Sequence, residues 1–219
     1  GWSNMEGSVY GDRVFSSGWM NNWTYAYKTP TSQWRGVMTM IRELKLELFD
    51  AELVLSCRPA PIYDQLLGEE LAKLDEVRLN QSTQLGTRLA ASRVQIEVNA
   101  SLADHIGLEF SNKLGQRTRI GYRKSEGLFY IDRSESGNVD FAEGFSGVHT
   151  AIARREYEHI NIEVYIDRCS VEVFFNDGEY AMSELIYPEE LLSIFKPYAD
   201  GVASISKLSI REMQKIEIR

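Results

Sequence analysis

Trp19, Trp23 and Trp34 fall in one short stretch, GWMNNWTYAYKTPTSQWRG over residues 18–36, and Asn22 sits between the first two. An indole combines a flat apolar face with an N–H donor, so this stretch has the residue types to line a binding wall. The competing reading is that the indoles pack a joint between two parts of the chain. All four tryptophans, Trp2 included, lie in the first 34 residues, and the rest of the 219 contain none. Metal chemistry has no comparable signal: His105, His149 and His159 are scattered without ligand spacing. Cys57 and Cys169 are too few for a disulfide framework and sit in strand-like runs, where free thiols pack as small hydrophobes; a single bridge is the alternative. No metal ligand set and no cofactor are expected.

The composition, 43% hydrophobic and 26% charged, is that of a globular chain with ample length for a core. The formal charge is −8. Residues 1–40 carry three basic and two acidic side chains, which leaves −9 on the remainder. Such a body repels phosphate, so nucleic acid and anionic membranes are excluded as expected partners. No apolar run approaches the roughly 20 residues of a membrane-spanning helix. The chain begins at Gly1, and its natural N-terminus is expected to lie upstream, so the lack of a leader says nothing about location.

The elements that must carry these residues read as β throughout. Residues 36–42 and 44–58 alternate apolar and polar, with Leu44, Leu46 and Leu48 on one face, and Pro59 and Pro61 end the run. Residues 62–78 hold the one helical expectation: Ile62, Leu66, Leu67, Leu71 and Leu74 come close to helical spacing, with Gly68 as a break. Further strands are expected over 93–100, 105–111, 117–123, 127–133, 146–155, 160–167, 202–213 and 215–219. Residues 170–187 read as a hairpin turning at Asn176-Asp177-Gly178. About ten short strands with frequent turns point to an all-β, antiparallel sandwich or barrel. The tetrapeptide Tyr-Ile-Asp-Arg occurs at 130–133 and again at 165–168, each time closing a strand before a serine-containing turn. Glu172 alternates with Val171 and Val173 and is expected to be paired rather than catalytic. Asn22, Asn80 and Asn99 begin glycosylation-type triplets, a pattern that arises readily by chance.

On particular words the chain resembles glycoside hydrolase family 32, the levanases, inulinases and invertases that cleave β-fructofuranosyl bonds. These are Gly18-Trp19-Met20-Asn21-Asn22-Trp23, Pro30-Thr31-Ser32-Gln33-Trp34-Arg35-Gly36, Met38-Thr39 and Arg42-Glu43-Leu44. Ile131-Asp132-Arg133-Ser134, Ser136-Gly137, Asp167 to Phe174 and Asn176-Asp177-Gly178-Glu179 resemble the family's C-terminal module, although Cys169 stands where serine is usual. The resemblance implies the end of a five-bladed propeller over residues 1–40, followed by a two-sheet, lectin-like β-sandwich over 41–219.

Hydrolysis with retention needs two carboxyl groups about 5–5.5 Å apart. The family's catalytic words, Trp-Met-Asn-Asp-Pro-Asn, Arg-Asp-Pro and Glu-Cys, are all absent here, and the chain is therefore expected to be inactive by itself. The resemblance makes Trp19 one wall of the parent's fructose pocket, with Asn22 beside it, and gives Trp23, Trp34, Arg35, Arg42 and Glu43 structural roles at the joint. The expected partners are a propeller domain, fructan or sucrose in the parent, and a second copy meeting exposed strand edges. A secreted or periplasmic parent is implied. A stand-alone sugar-binding module is the alternative, but its aromatic platforms would have to be tyrosines such as Tyr122, Tyr130, Tyr157 and Tyr180.

Overall fold

The computed structural model describes residues 11–79, 85–86 and 91–215; the expectations for Asn80 and for nearly all of 215–219 fall outside them. Strand β1 (Val14–Ser16), β2 (Arg42–Phe49) and β3 (Glu52–Pro59) form a three-stranded antiparallel sheet. Residues 36–42 supply only an isolated bridge, Met38 to Trp19, before β2 begins. The alternating run 44–58 is a hairpin, not one strand. Its loop is Asp50-Ala51, with φ of 44° and 68°. A two-residue loop with both angles positive follows the natural twist of paired strands. With alanine where glycine is usual, the turn had no sequence signal.

The helical expectation for 62–78 fails. Pro61–Leu66 form a short 3-10 helix and Leu67–Leu79 form strand β4. The leucine spacing suits a helix, but this segment pairs with a long partner strand, Leu74 opposite Leu208 and Val77 opposite Ile205. Tertiary pairing overrides local periodicity. Leu71, Ala72 and Leu74 reach the core from this strand.

The body consists of β4, β5 (Leu85–Gly86), β6 (Ser92–Ser111), β7 (Arg117–Arg123), β8 (Leu128–Glu135), β9 (Val148–Ile152), β10 (His159–Ile166), β11 (Ser170–Phe175), β12 (Tyr180–Leu185) and β13 (Ile194–Met213). Two 20-residue strands, β6 and β13, run through both layers. The first half of β6 pairs with β10, its second half with β7. The two strands pair with each other along their length, with register shifts near Asp200, Val202 and Ile205 where β13 bends. Bulged strands that pass from one sheet to the other are how sandwich corners are made. One layer thus follows β12-β11-β10-β6-β13-β4 and the other β9-β8-β7-β6-β13-β5.

The core lies between the layers. Ile160, Ile162, Val164 and Ile166 of β10 all point into it, as their alternation requires. Each such side chain contributes about 1.5–3 kcal/mol when fully buried. A second, smaller cluster of Tyr25, Ala142, Phe145, Leu185 and Tyr187 lies where the N-terminal segment meets the body. No helix among the described residues is long and apolar enough to cross a membrane.

Candidate functional site

The tryptophan segment is held by short-range backbone bonds. Met20 N–H donates to the Val37 carbonyl (2.8 Å) and Thr39 N–H to the Gly18 carbonyl (2.7 Å). Trp19 and Trp23 meet with ring centroids 4.8 Å apart. Gly36 has a φ of +84°, and a Cβ there would strike the Trp19 indole nitrogen, so the residue must be glycine for the indole to lie as it does. The Asn22 side chain acts locally, its Oδ1 accepting from the Thr24 N–H and hydroxyl, both at 2.9 Å. Asn99 makes the same bond pattern to Ser101. The neighbouring Asn21 was not singled out by its sequence. Its side-chain amide is buried, with no hydrogen-bond partner among the described residues.

Three sets of contacts stand out among those that join the segment to the body. Arg42 reaches Glu172 on β11 at 2.7 Å and also bonds the Ser183 hydroxyl on β12. Glu172 takes a second bond from the Met40 N–H at 2.6 Å. The Glu172 side chain is only 5% exposed, a paired carboxylate as its alternation suggested. The second set lies at the β11–β12 turn, where Asn176, Asp177 and Gly178 all have positive φ. Cys57 N–H donates to the Gly178 carbonyl at 2.8 Å, and a Cβ on Gly178 would run into the Cys57 carbonyl.

The third set is the small apolar cluster, entered by Met20, Tyr25 and Val37. At its centre Arg133, 1% exposed, pairs with Glu184 (2.8 Å), donates to the Phe145 carbonyl (2.8 Å) and stacks 3.9 Å above the Phe145 ring. By contrast Trp23 is 74% and Trp34 41% exposed. Arg35 bonds the carbonyls of Tyr27 and Thr29 within its own segment. Glu43 pairs with Arg13 at 3.0 Å across β1 and β2. Sequence reasoning missed Tyr25, Arg58, Tyr63 and Ser183 at this joint; their partners lie far away along the chain, and no local pattern encodes that.

A polar groove of about 270 Å³ opens between the 3-10 helix and the face of β6 and β10. Burial pushes the Glu163 carboxyl above its usual range, opposed by a 2.8 Å bond from the Tyr165 hydroxyl and by Arg93. Asp64 and Glu163 share one Arg93 nitrogen, at 2.9 and 3.8 Å. Two carboxylates bridged by a guanidinium form a compensated ion network, not a free acid–base pair. Tyr122, Tyr130, Tyr157 and Tyr180 are all buried and cannot serve as sugar platforms. Cys57 and Cys169 are free and partly buried; burial pushes the Cys169 thiol up to about 11. Among the described residues no three His, Cys, Asp or Glu side chains are grouped to hold a metal ion.

The fold is an antiparallel β-sandwich joined through a buried ion pair to a preceding three-stranded sheet. The chain belongs to glycosyl hydrolase family 32: residues 63–212 match the family's C-terminal model and residues 5–57 its N-terminal domain model. It is 31% identical over 212 residues to a levanase of Bacillus sp. (strain L7), covering 90% of this chain and 22% of the levanase. It is 30% identical over 205 residues to a levanase of Bacillus subtilis (strain 168), covering 91% of this chain and 30% of that one. Among solved structures, exo-inulinase from Aspergillus awamori superposes with a TM-score of 0.81 at 22% identity, over 92% of this chain and 40% of that one. Fructan 1-exohydrolase IIa from Cichorium intybus gives 0.76 at 16% identity, over 94% and 46%. The chain thus spans less than a third of the length of these two levanases.

Proposed function

We propose that this chain is the non-catalytic C-terminal portion of an enzyme that hydrolyses β-fructofuranosyl bonds in levan, inulin or sucrose. In this reading the carboxylates that break the bond lie on polypeptide beyond these 219 residues. The sandwich braces the catalytic module, and the Trp19 face with Asn21 and Asn22 completes the rim of its pocket. The observation that carries the reading is the Arg42–Glu172 joint. A buried, hydrogen-bonded ion pair fixes the orientation of the segment that matches the family's N-terminal domain. The division expected at residue 40 becomes, in this proposal, a division near residue 60, between the two family-model spans. The exposed leucine face of β2 and β3 is covered by the rest of the propeller in the whole enzyme, and by a second copy when the chain is alone.

The test is reconstitution. The chain is mixed with a separately expressed N-terminal family 32 domain, and release of fructose from levan is measured. Activity is expected from the mixture and from neither part by itself. Turnover by the isolated chain that vanished on changing one of its own carboxylates would overturn the proposal.

A further inference from the structure

We infer that Tyr198, Tyr130 and His105 form a pH-sensitive latch on the outer face of the β9-β8-β7-β6-β13 layer, in which one proton on His105 reverses a chain of hydrogen bonds and releases Arg123 from the Tyr130 ring. The latch is built by register. Tyr198 of β13, Gly107 of β6, Gly121 of β7 and Tyr130 of β8 stand opposite one another in a row across four adjacent strands. Their neighbours along the strands, among them Ile106, Ile120, Phe129 and Ile131, fill the core, so the row faces outward. The two glycines leave room for both rings to lie over the sheet. A Cβ on Gly107 would strike the Tyr198 ring and hydroxyl, and one on Gly121 would come within 2.9 Å of the Tyr130 hydroxyl. The two hydroxyls meet at 2.5 Å, and His105 Nε2 lies 2.7 Å from the Tyr130 oxygen. Tyr130, the middle member, is 2% exposed, so its hydroxyl depends on these two partners.

Each hydroxyl brings one hydrogen, so this chain of three groups runs in one of two directions. When Nε2 carries no hydrogen, Tyr130 donates to His105 and Tyr198 donates to Tyr130. When Nε2 is protonated, the imidazolium donates to the Tyr130 oxygen, Tyr130 donates to Tyr198, and the Tyr198 hydrogen turns away from the chain. One proton is taken from water, the two hydroxyls rotate, and neither ionises. Acceptors stand at that end, since the Glu109 and Asp132 carboxylates both act on the Tyr198 phenol, beside Arg119.

The charges around His105 supply the release. Arg123 stands directly opposite His105 across β6 and β7, and its guanidinium lies 4.8 Å from the centroid of the Tyr130 ring. Like charges directly opposite on paired strands repel. Arg123 already holds Glu126 at 3.3 Å, so a charged His105 drives it off the ring toward that carboxylate. Asp104, next to His105 in β6, and Asp200, opposite it on β13, favour the charged imidazole, as does Glu126; burial and Arg123 oppose it. Asp104 is fixed by the Ser125 N–H (3.1 Å) and hydroxyl (2.8 Å). His105 is therefore neutral at neutral pH and charges in acid, where the Tyr130 ring is uncovered.

The experiment is an NMR titration of the full 219-residue chain from neutral pH into acid. It reads the His105 ring nitrogens, the Arg123 Nε–H and the contacts of the Tyr130 hydroxyl proton. The His105 and Tyr198 rings lie edge to face at 5.4 Å, so a Tyr198 ring shift by itself does not count. Neutral His105 is expected to carry its hydrogen on Nδ1, with the Tyr130 hydroxyl proton against the imidazole. In acid that proton moves to the Tyr198 ring, and the Arg123 signal shifts with the His105 midpoint. His105→Gln loses the Arg123 shift. Tyr130→Phe, the second variant should His105→Gln fail to fold, loses the Nδ1 preference of neutral His105. The inference is overturned by a neutral His105 with its hydrogen on Nε2, by a Tyr130 hydroxyl proton that keeps one partner throughout, by an Arg123 signal that ignores the titration, or by an unchanged tautomer in Tyr130→Phe. None of these results depends on the function proposed above.

Discussion

Arg42 and Glu172, 130 residues apart in sequence, meet at 2.7 Å across the joint between the N-terminal sheet and the sandwich. Their side chains are 15% and 5% exposed. Glu172 also holds the Met40 N–H and the Ser183 hydroxyl, so one carboxylate organises three donors. Removing one member of such a pair leaves the other charge buried and unpaired. Glu172→Gln is therefore expected to destabilise the chain by about 3 kcal/mol, measured by urea unfolding. The double variant Arg42→Met with Glu172→Leu should cost less than the sum of the two single changes. Additive costs would show that the two residues do not act as a unit.

Gly178 and Gly115 separate two effects that glycine substitutions usually mix. Both have positive φ, +83° and +80°. At Gly115 an added Cβ meets nothing within 4 Å, whereas at Gly178 it meets the Cys57 carbonyl. Gly115→Ala should cost only the backbone penalty, about 1–2 kcal/mol. Gly178→Ala should add about 1–3 kcal/mol of steric strain and loosen the Cys57–Gly178 bond, visible as faster amide exchange at Cys57. Equal losses at the two sites would contradict the close approach.

His105 gives the stability a defined pH slope. Burial lowers its pKa below the usual 6.5, and Arg123 acts in the same direction. Its Nε2 lies 2.7 Å from the Tyr130 hydroxyl. Below pH ~6.5 the unfolded chain takes up a proton that the folded one refuses, so stability falls as the pH drops toward the folded-state pKa. His105→Gln should flatten this slope below pH ~6.5. Glu163 works the other way, since its raised pKa makes the folded state the better proton acceptor. An NMR titration of His105 with a midpoint at or above 6.5 would refute the prediction.

The strands of the body were legible because their faces differ. Ile160 to Ile166 alternates cleanly, and Asn176-Asp177-Gly178 announces its turn. The hairpin at Asp50-Ala51 was not legible, because alanine in a left-handed turn is held by pairing on both sides and not by its own preference. Strand β4 was mistaken for helix because leucine spacing carries no record of the open edge of β13 that claims it. The joint was partly legible: Arg42 and Glu172 stood out singly, but nothing in the sequence linked them.

The grouping of Leu44, Leu46 and Leu48 on one face is correct, but that face looks outward. Leu46 pairs with Leu55 and Leu48 with Leu53 across the hairpin, and these four are 63%, 55%, 70% and 68% exposed. A ladder of bare leucines on a two-sided hairpin is unfavourable in water and favours association. The isolated chain is expected to self-associate in a concentration-dependent manner, followed by sedimentation velocity. Leu48→Lys with Leu53→Lys should shift it toward monomer, with little loss of folding stability because neither side chain contributes to the core. Adding the N-terminal family 32 domain should compete with self-association, since both processes would cover the same leucines. A chain that stays monomeric at high concentration, or a variant that associates as strongly as the parent, would show that these leucines are not the contact.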